Sequence, residues 1–352
     1  MVPLTQSLRV IERDSKFELL RLVLMYLIVF HHGIVHGLNL VELRFPDCLI
    51  HENVFFSTCL INSFCIVAVN TFILISGFFS IKTTKNKLIR LVCLVFVCTL
   101  LFNTLYFLIQ GNVRRVFSSL LIISHSRYWF IVDYLVLMVL APAINLFFDN
   151  FTQNKQGLFV VALLFITCYL GFFWQFEANV NGYTVFQFIT MYSIGRYLHN
   201  NRIHINEFPA VFIYLLCSIS IALLMLFLHK SGNDSYAWAL THYNNPVLII
   251  SAIAFFFIFK NIKIQNQRIN RLSTSSLFIY LFTSSALVES IYYPFVRSAY
   301  IAHEGIIFPI IAASALLLYL IAVLIDQLLI SRIVDLLHNR LMSINLSKVS
   351  LS

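Results

Sequence analysis

The chain has 352 residues, 60% hydrophobic and 11% charged, with a mean hydropathy of +0.85. A soluble domain carries about 25% charged residues, so this composition cannot clothe a water-facing surface and excludes a soluble enzyme, a nucleic-acid-binding domain and a secreted disulfide scaffold. The net charge of +9 is no nucleic-acid footprint, because the basic residues sit in short loops between apolar runs.

A helix crossing hydrocarbon needs about 20 mostly apolar residues. By that rule the sequence predicts an all-α, polytopic membrane helix bundle of about ten transmembrane helices. In chain order they are Phe17–Leu38, Val54–Ile81, Leu88–Ile109, Tyr128–Phe148, Gly157–Trp174, Tyr183–Leu198, Phe208–Leu228, Pro246–Phe259, Ser275–Phe295 and Gly305–Ile330. The sixth and eighth are short. Val116–Ser124 is apolar but too short to cross, and reads as a segment in the outer interface. The remainder reads as one integral-membrane domain over residues 1–352, with short tails at 1–16 and 331–352 and no internal repeat. The first apolar run follows a basic tail but lacks a small-residue cleavage site, so no cleaved signal is expected.

Charge orients the bundle. With the N-terminus in the cytoplasm, the outer segments hold Arg44, Arg114, Arg115, Arg127, Lys230 and Arg297, which leaves 18 of the 24 Lys and Arg residues inside. That positive-inside bias places both termini in the cytoplasm. The seven cysteines show no CxxC spacing, and five lie inside apolar runs, where they serve as small hydrophobes. Only Cys48, in an outer loop, stands where a thiol could oxidise.

Ionisable residues in membrane helices carry the functional signal, since each costs roughly 2.5–3.5 kcal/mol at mid-bilayer on insertion scales. The first helix reads FELLRLVLMYLIVFHHGIVHG. Arg21 and His32 differ by about 20° in azimuth, and Glu18 and His36 fall within about 60° of the same line. His31 points about 80° the other way, so the helical wheel gives it the lesser role. The rise from Arg21 to His32 is about 16 Å, from the inner interface to mid-bilayer or beyond. A histidine at that depth suits a general base, and Arg21 suits an anion at the cytoplasmic mouth. The plainer reading is a packed histidine bonded to a neighbouring helix and an arginine snorkelling to lipid headgroups. No metal or haem site is expected, because no second histidine pair lies at matching depth.

Three further places stand out. Lys82, Lys85, Lys87 and Arg90 form a cationic loop before the third helix, with Lys87 and Arg90 sharing a face. They serve either as topogenic charge against anionic lipid or as a site for a phosphate-bearing substrate. In YWFIVDY, an aromatic belt accounts for Trp129 but not for Asp133 one turn on. In the ninth helix Ser276, Tyr280, Thr283, Ser284, Ser285 and Glu289 make a polar wall. Serines and threonines often act only as interhelical glue, whereas Glu289 is expected to line a wet cavity. Ser76-Gly77 is expected to let a neighbouring backbone approach closely.

These segments together resemble the acyltransferase-3 family, ten-helix membrane O-acyltransferases of bacterial surface polysaccharides. Arg21 to His32 fits its pattern of a basic residue, ten residues, then histidine. NTFILISGFF looks like its second-helix signature, KLIR like its basic pair before the third helix, and RYWFIVDYLVLMVLAPAIN like its Trp-Phe…Pro block. GYTVFQFITMYSIGRYL and LLLYLIAVLIDQLL also read like family members. Thr283 departs from it, standing where the family often carries histidine.

The resemblance implies transfer of an acyl group, most often acetyl, from cytosolic acyl-CoA to a hydroxyl of a surface polysaccharide or lipid-linked glycan, in the bacterial inner membrane. No permanently bound cofactor, metal or nucleic acid is implied; membrane lipids are the remaining partner. His32 would be general base and Arg21 its motif partner, while Lys87 and Arg90 would hold the donor's phosphates. Trp129, Asp133 and Glu289 would face the cavity or acceptor. The rival reading is a transporter or glycan flippase using His32, Asp133 and Glu289 as a polar pathway.

Overall fold

The computed structural model describes residues 13–40, 50–111, 116–117, 128–179 and 181–349. Arg114, Arg115, Arg127, Arg44, Cys48 and most of Val116–Ser124 lie outside them. Among the described residues every regular element is helical. Helix α1 (Ser15–Val35) runs the length of the bundle, and α2 (Glu52–Cys65) and α3 (Val67–Phe78) meet at Ile66 to return as one span. Then come α4 (Lys85–Gln110), α5 (Trp129–Asn150), α6 (Gln153–Leu164, prolonged by a π turn over Phe165–Phe173) and α7 (Val185–Asn200). Helix α8 (Glu207–Lys230) follows, then the short α9 (Asp234–Ala239), α10 (Pro246–Lys260) and α11 (Gln267–Leu272). The chain ends on α12 (Ser276–Thr283), α13 (Ala286–His303), α14 (Ile307–Ile325) and α15 (Ser331–Val349).

Among the described residues seven stretches are long and apolar enough to cross a membrane, the last of them, Ala286–Ser343, holding the reversal between α13 and α14. The short α7 and α10 also run from one end of the bundle to the other, as side-chain contacts show. At one end Phe17 meets Phe78 and Phe256 at ring-centroid distances of 5.7 and 5.5 Å, and Lys260 Nζ donates to the Ile203 carbonyl. There the Ser15 hydroxyl accepts from the Asn266 N–H, and Arg90 pairs with Asp335 of α15. This is the basic end, which the charge bias assigns to the cytoplasm, and both described chain ends reach it. At the other end Arg297 donates to Asn39 Oδ1 at 2.6 Å and to the Gly37 carbonyl. A cation on the last carbonyls of α1 suits the negative end of its dipole. The chain is a multi-pass membrane protein.

Two departures from the expected spans have local causes. The ninth span is not one helix over Ser275–Phe295. It breaks after Thr283, where Ser285 takes an extended backbone and its hydroxyl accepts from the Val288 N–H to start α13. Ser-Ser favours caps over helix interiors because its hydroxyls compete for backbone groups. Residues 331–349, expected as part of a tail, continue α14 through a π turn at Asp326–Ile330 and form α15 against α4.

The tightest contact joins α3 to α7. A Cβ at Gly77 would overlap the Tyr192 carbonyl oxygen, and one at Gly195 that of Leu74. The close approach expected at Ser76-Gly77 is therefore made, and a glycine on each helix permits it. It also sets Tyr192 beneath the α3–α4 turn. The Tyr192 hydroxyl accepts from the Ile81 N–H at 2.9 Å and donates to Asn145 Oδ1 at 2.8 Å, while Asn145 Nδ2 donates to the Ile81 carbonyl. The Thr83 hydroxyl donates to the Met138 carbonyl, and Thr84 caps α4. So the turn carrying Lys82, Lys85 and Lys87 is anchored by α5 and α7. Gly77→Ala and Gly195→Ala should each cost about 1–3 kcal/mol, the range for an overpacked contact. A lower unfolding temperature in detergent checks this; an unchanged one would show that the helices separate freely.

Candidate active site

Helices α1, α3, α5, α12 and α13, with Ile66 at the junction of α2 and α3, Tyr183, and α9 with the loop after it, enclose a cavity of about 480 Å³. Pockets of this size ordinarily hold a small ligand. His31 and His32 of α1 and His36, its C-cap, all line it. The rings form a file with centroids 5.8 Å apart for His31 and His32 and 5.4 Å for His32 and His36. His36 continues the file to Tyr293 at 5.4 Å and is itself exposed. Within the file His32 Nδ1 is buried without a hydrogen-bond partner. An unsatisfied buried nitrogen costs about 1–3 kcal/mol, so it asks for an explanation.

His31 is held differently. Its Nδ1 lies 2.7 Å from Oδ1 of Asn62 on α2. The Asn62 side chain is fully buried. Since an amide oxygen only accepts, the His31 proton sits on Nδ1 and Nε2 keeps the lone pair. The helical wheel set His31 off the polar stripe; the structure puts it on the same cavity as His32. The cavity wraps around α1 far enough for two adjacent residues to reach it.

The opposite wall is aromatic. Trp129 packs edge-on to Tyr183 at 4.8 Å and nearly parallel to Tyr243 at 5.9 Å. Trp238 and Tyr280 line the same space. Buried amides fix this wall: Asn70 Nδ2 and Gln187 Nε2 both donate to the Tyr243 carbonyl, and Gln187 also bonds Asn70 Oδ1. Such a network keeps the loop between α9 and α10 over the cavity, because each partner lost would strand a buried polar group.

At the basic end a second pocket, about 250 Å³, is lined by Lys87 and Arg90 of α4, Asp326, and Ser331 and Val334 at the start of α15. Arg90 directs Nε and Nη2 to one oxygen of Asp335, at 3.0 and 2.9 Å. Both partners are more than half exposed, and an exposed pair is worth only about 0–1 kcal/mol. An incoming anion could thus displace Asp335 at small cost. Leu277 of α12 lines both pockets and stands between the cations and the histidines.

Trp129 and Glu289 lie on the histidine cavity and Lys87 and Arg90 on the basic pocket. Asp133 does not line the histidine cavity. Neither does Arg21, which pairs with Glu18 at 2.5 Å; Glu18 in turn accepts from the Ser273 hydroxyl at 2.5 Å. Thr283 donates to the Ile279 carbonyl of its own helix. Sequence reasoning missed Asn62, Tyr183, Tyr243 and Leu277. Asn62 is a polar residue inside a strongly apolar span, the same signal that drew attention to His32. Leu277 carries no such signal. Among the described residues no three His, Cys, Asp or Glu side chains gather to hold a metal ion.

Fold and cavity define a multi-pass helical membrane protein with histidines gathered in the bundle interior. The comparison with protein families narrows this: residues 14–326 match the acyltransferase-3 model, an acyltransferase domain. The chain belongs to the acyltransferase-3 family and is a membrane acyltransferase. No curated protein and no solved structure matches it.

The position of Arg21 generates a prediction. Arg21→Ala would leave the buried Glu18 carboxylate without its cation, costing roughly 2 kcal/mol, between the values for exposed and buried pairs. Adding Glu18→Gln should restore most of the loss in detergent melting temperature. Equal melting temperatures for wild type and Arg21→Ala would show that the pair contributes nothing to the fold.

Proposed function

We propose that the protein moves an acyl group, acetyl foremost, from cytosolic acyl-CoA to a hydroxyl of a cell-surface glycan or its lipid-linked precursor, in the bacterial inner membrane. The observation that carries this reading is the arrangement of two pockets, a basic one open at the cytoplasmic end and a histidine one deep in the bundle, with Leu277 common to both linings. A nucleotide-bearing thioester needs such a pair. Its phosphates suit Lys87 and Arg90, as charge-assisted hydrogen bonds to phosphate favour paired cations. Its thin acylated arm then passes Leu277 toward the histidines. This route follows α4 and α12 rather than the stripe of α1 below His32.

The acceptor side suits a sugar. Trp129, Tyr183 and Tyr243 offer flat apolar faces with polar tips, and Glu289 adds an acceptor for hydroxyl protons. His32 takes the proton of the attacking hydroxyl as general base while the oxygen attacks the thioester carbonyl. A partnerless Nδ1 in the resting enzyme accords with a group whose bonds form only when substrates are bound. The transporter or flippase reading draws less support, because residues 14–326 match an acyltransferase domain; the absence of Asp133 from the cavity lining removes it from both readings.

The test uses inside-out vesicles supplied with acetyl-CoA labelled in the acetyl group, following free CoA and label on glycan. Wild type should label glycan, and His32→Ala should lower the rate by about 10²-fold or more, the usual worth of a general base. Lys87→Ala and Arg90→Ala should raise KM for the donor and leave KM for the acceptor alone. Full activity in His32→Ala would remove it as the base, and no CoA release by wild type with any acyl donor would overturn the acyltransfer reading.

A further inference from the structure

We infer that His31, held by Asn62, is a second proton carrier in the same reaction, which receives the proton from His32 and delivers it to the departing sulfur. The inference rests on the acyl-transfer reading above.

Acyl transfer from a thioester has two proton problems at different atoms. The hydroxyl oxygen must lose a proton as the C–O bond forms, and the sulfur must gain one as the C–S bond breaks. The acceptor and the donor's arm approach the cavity from opposite ends, so one ring is poorly placed to serve both atoms. Two adjacent rings divide the work. His32 removes the hydroxyl proton and becomes an imidazolium as the tetrahedral adduct forms. A proton passes on through a bridging water to Nε2 of His31, the two ring centroids being 5.8 Å apart. His31 then gives that Nε2 proton to the sulfur as the thiolate leaves. One proton enters the pair and one departs, and both imidazoles end neutral.

Asn62 makes His31 suitable for this role. Its Oδ1 accepts the Nδ1 proton in both the neutral and the charged ring. Only Nε2 is therefore free to exchange protons, and the charged form keeps its hydrogen bond within the bundle. Asn62 is buried on α2 and does not line the cavity. It is a positioning residue acting through His31. A histidine engaged only in packing would not need to line the cavity that holds His32; His31 does.

The experiment measures labelled acetyl transfer in vesicles for wild type, His31→Gln, Asn62→Leu and Asn62→Asp, with folding followed by size exclusion in detergent. Glutamine can still donate to Asn62 Oδ1 but cannot relay a proton. His31→Gln should therefore remain folded and lose about 10²-fold or more in kcat, with both KM values unchanged. Asn62→Asp keeps the acceptor and should retain far more activity than Asn62→Leu. In the surviving activity, the acidic limb of kcat against pH should move to lower pH in Asn62→Leu and to higher pH in Asn62→Asp. A merely structural bond would give losses uniform in pH. Wild-type kcat in a folded His31→Gln, with His32→Ala inactive, would overturn this inference and leave the acyl-transfer reading standing. No transfer by wild type would overturn both.

Discussion

One constraint organises the bundle: in hydrocarbon an ionisable side chain is stable only against a partner or a cavity in the interior. The first helix carries three histidines in its outer third, and no lipid-facing surface tolerates them. The bundle answers by leaving a cavity of about 480 Å³ against α1 and bringing Asn62 of α2 to His31. The remaining architecture supports that arrangement. Gly77 and Gly195 let α3 and α7 touch along their backbones, and Asn70 and Gln187 hold the Tyr243 loop across the cavity mouth. Arg297 secures the far end of α1, while Glu18, Arg21 and Ser273 secure its near end.

The same constraint explains how two substrates of unlike size and location can meet. His32 stands about 16 Å above Arg21 along the helix axis, roughly half the hydrocarbon thickness. On the proposed reading a large, anionic donor stays at the basic end, where Lys87 and Arg90 are wet and their bonds easily exchanged. Only its uncharged arm enters the low-dielectric interior. The glycan enters from the other side, against rings whose positions are set by buried amides. Charge remains where water is, and the reacting atoms meet where it is scarce.

Much of this was legible in the sequence, and the limits are instructive. Charge scarcity and the excess of inner Lys and Arg gave an all-helical membrane bundle with both ends at the basic face. The ordered motifs pointed to the family that the match over residues 14–326 establishes. A helical wheel put His32 on a polar stripe, but it treats one helix alone with one narrow buried line. It could not see that the cavity wraps far enough to include His31. Contacts between distant positions stayed hidden for the same reason, since Asn62 meets His31 from another helix. Ser284-Ser285 read as a polar wall, although a pair of small hydroxyl residues equally well ends one helix and caps the next. Leu277 was invisible because an apolar residue in an apolar helix has no mark; its importance lies wholly in its position between two pockets.

The most direct test of the account is the location of the donor. A structure of the protein in lipid with a non-hydrolysable acyl-CoA analogue should show the phosphates at Lys87 and Arg90 in place of Asp335, the arm passing Leu277, and the acyl group beside His32. An analogue bound with its arm outside the histidine cavity, or entering along α1 past Arg21, would contradict it.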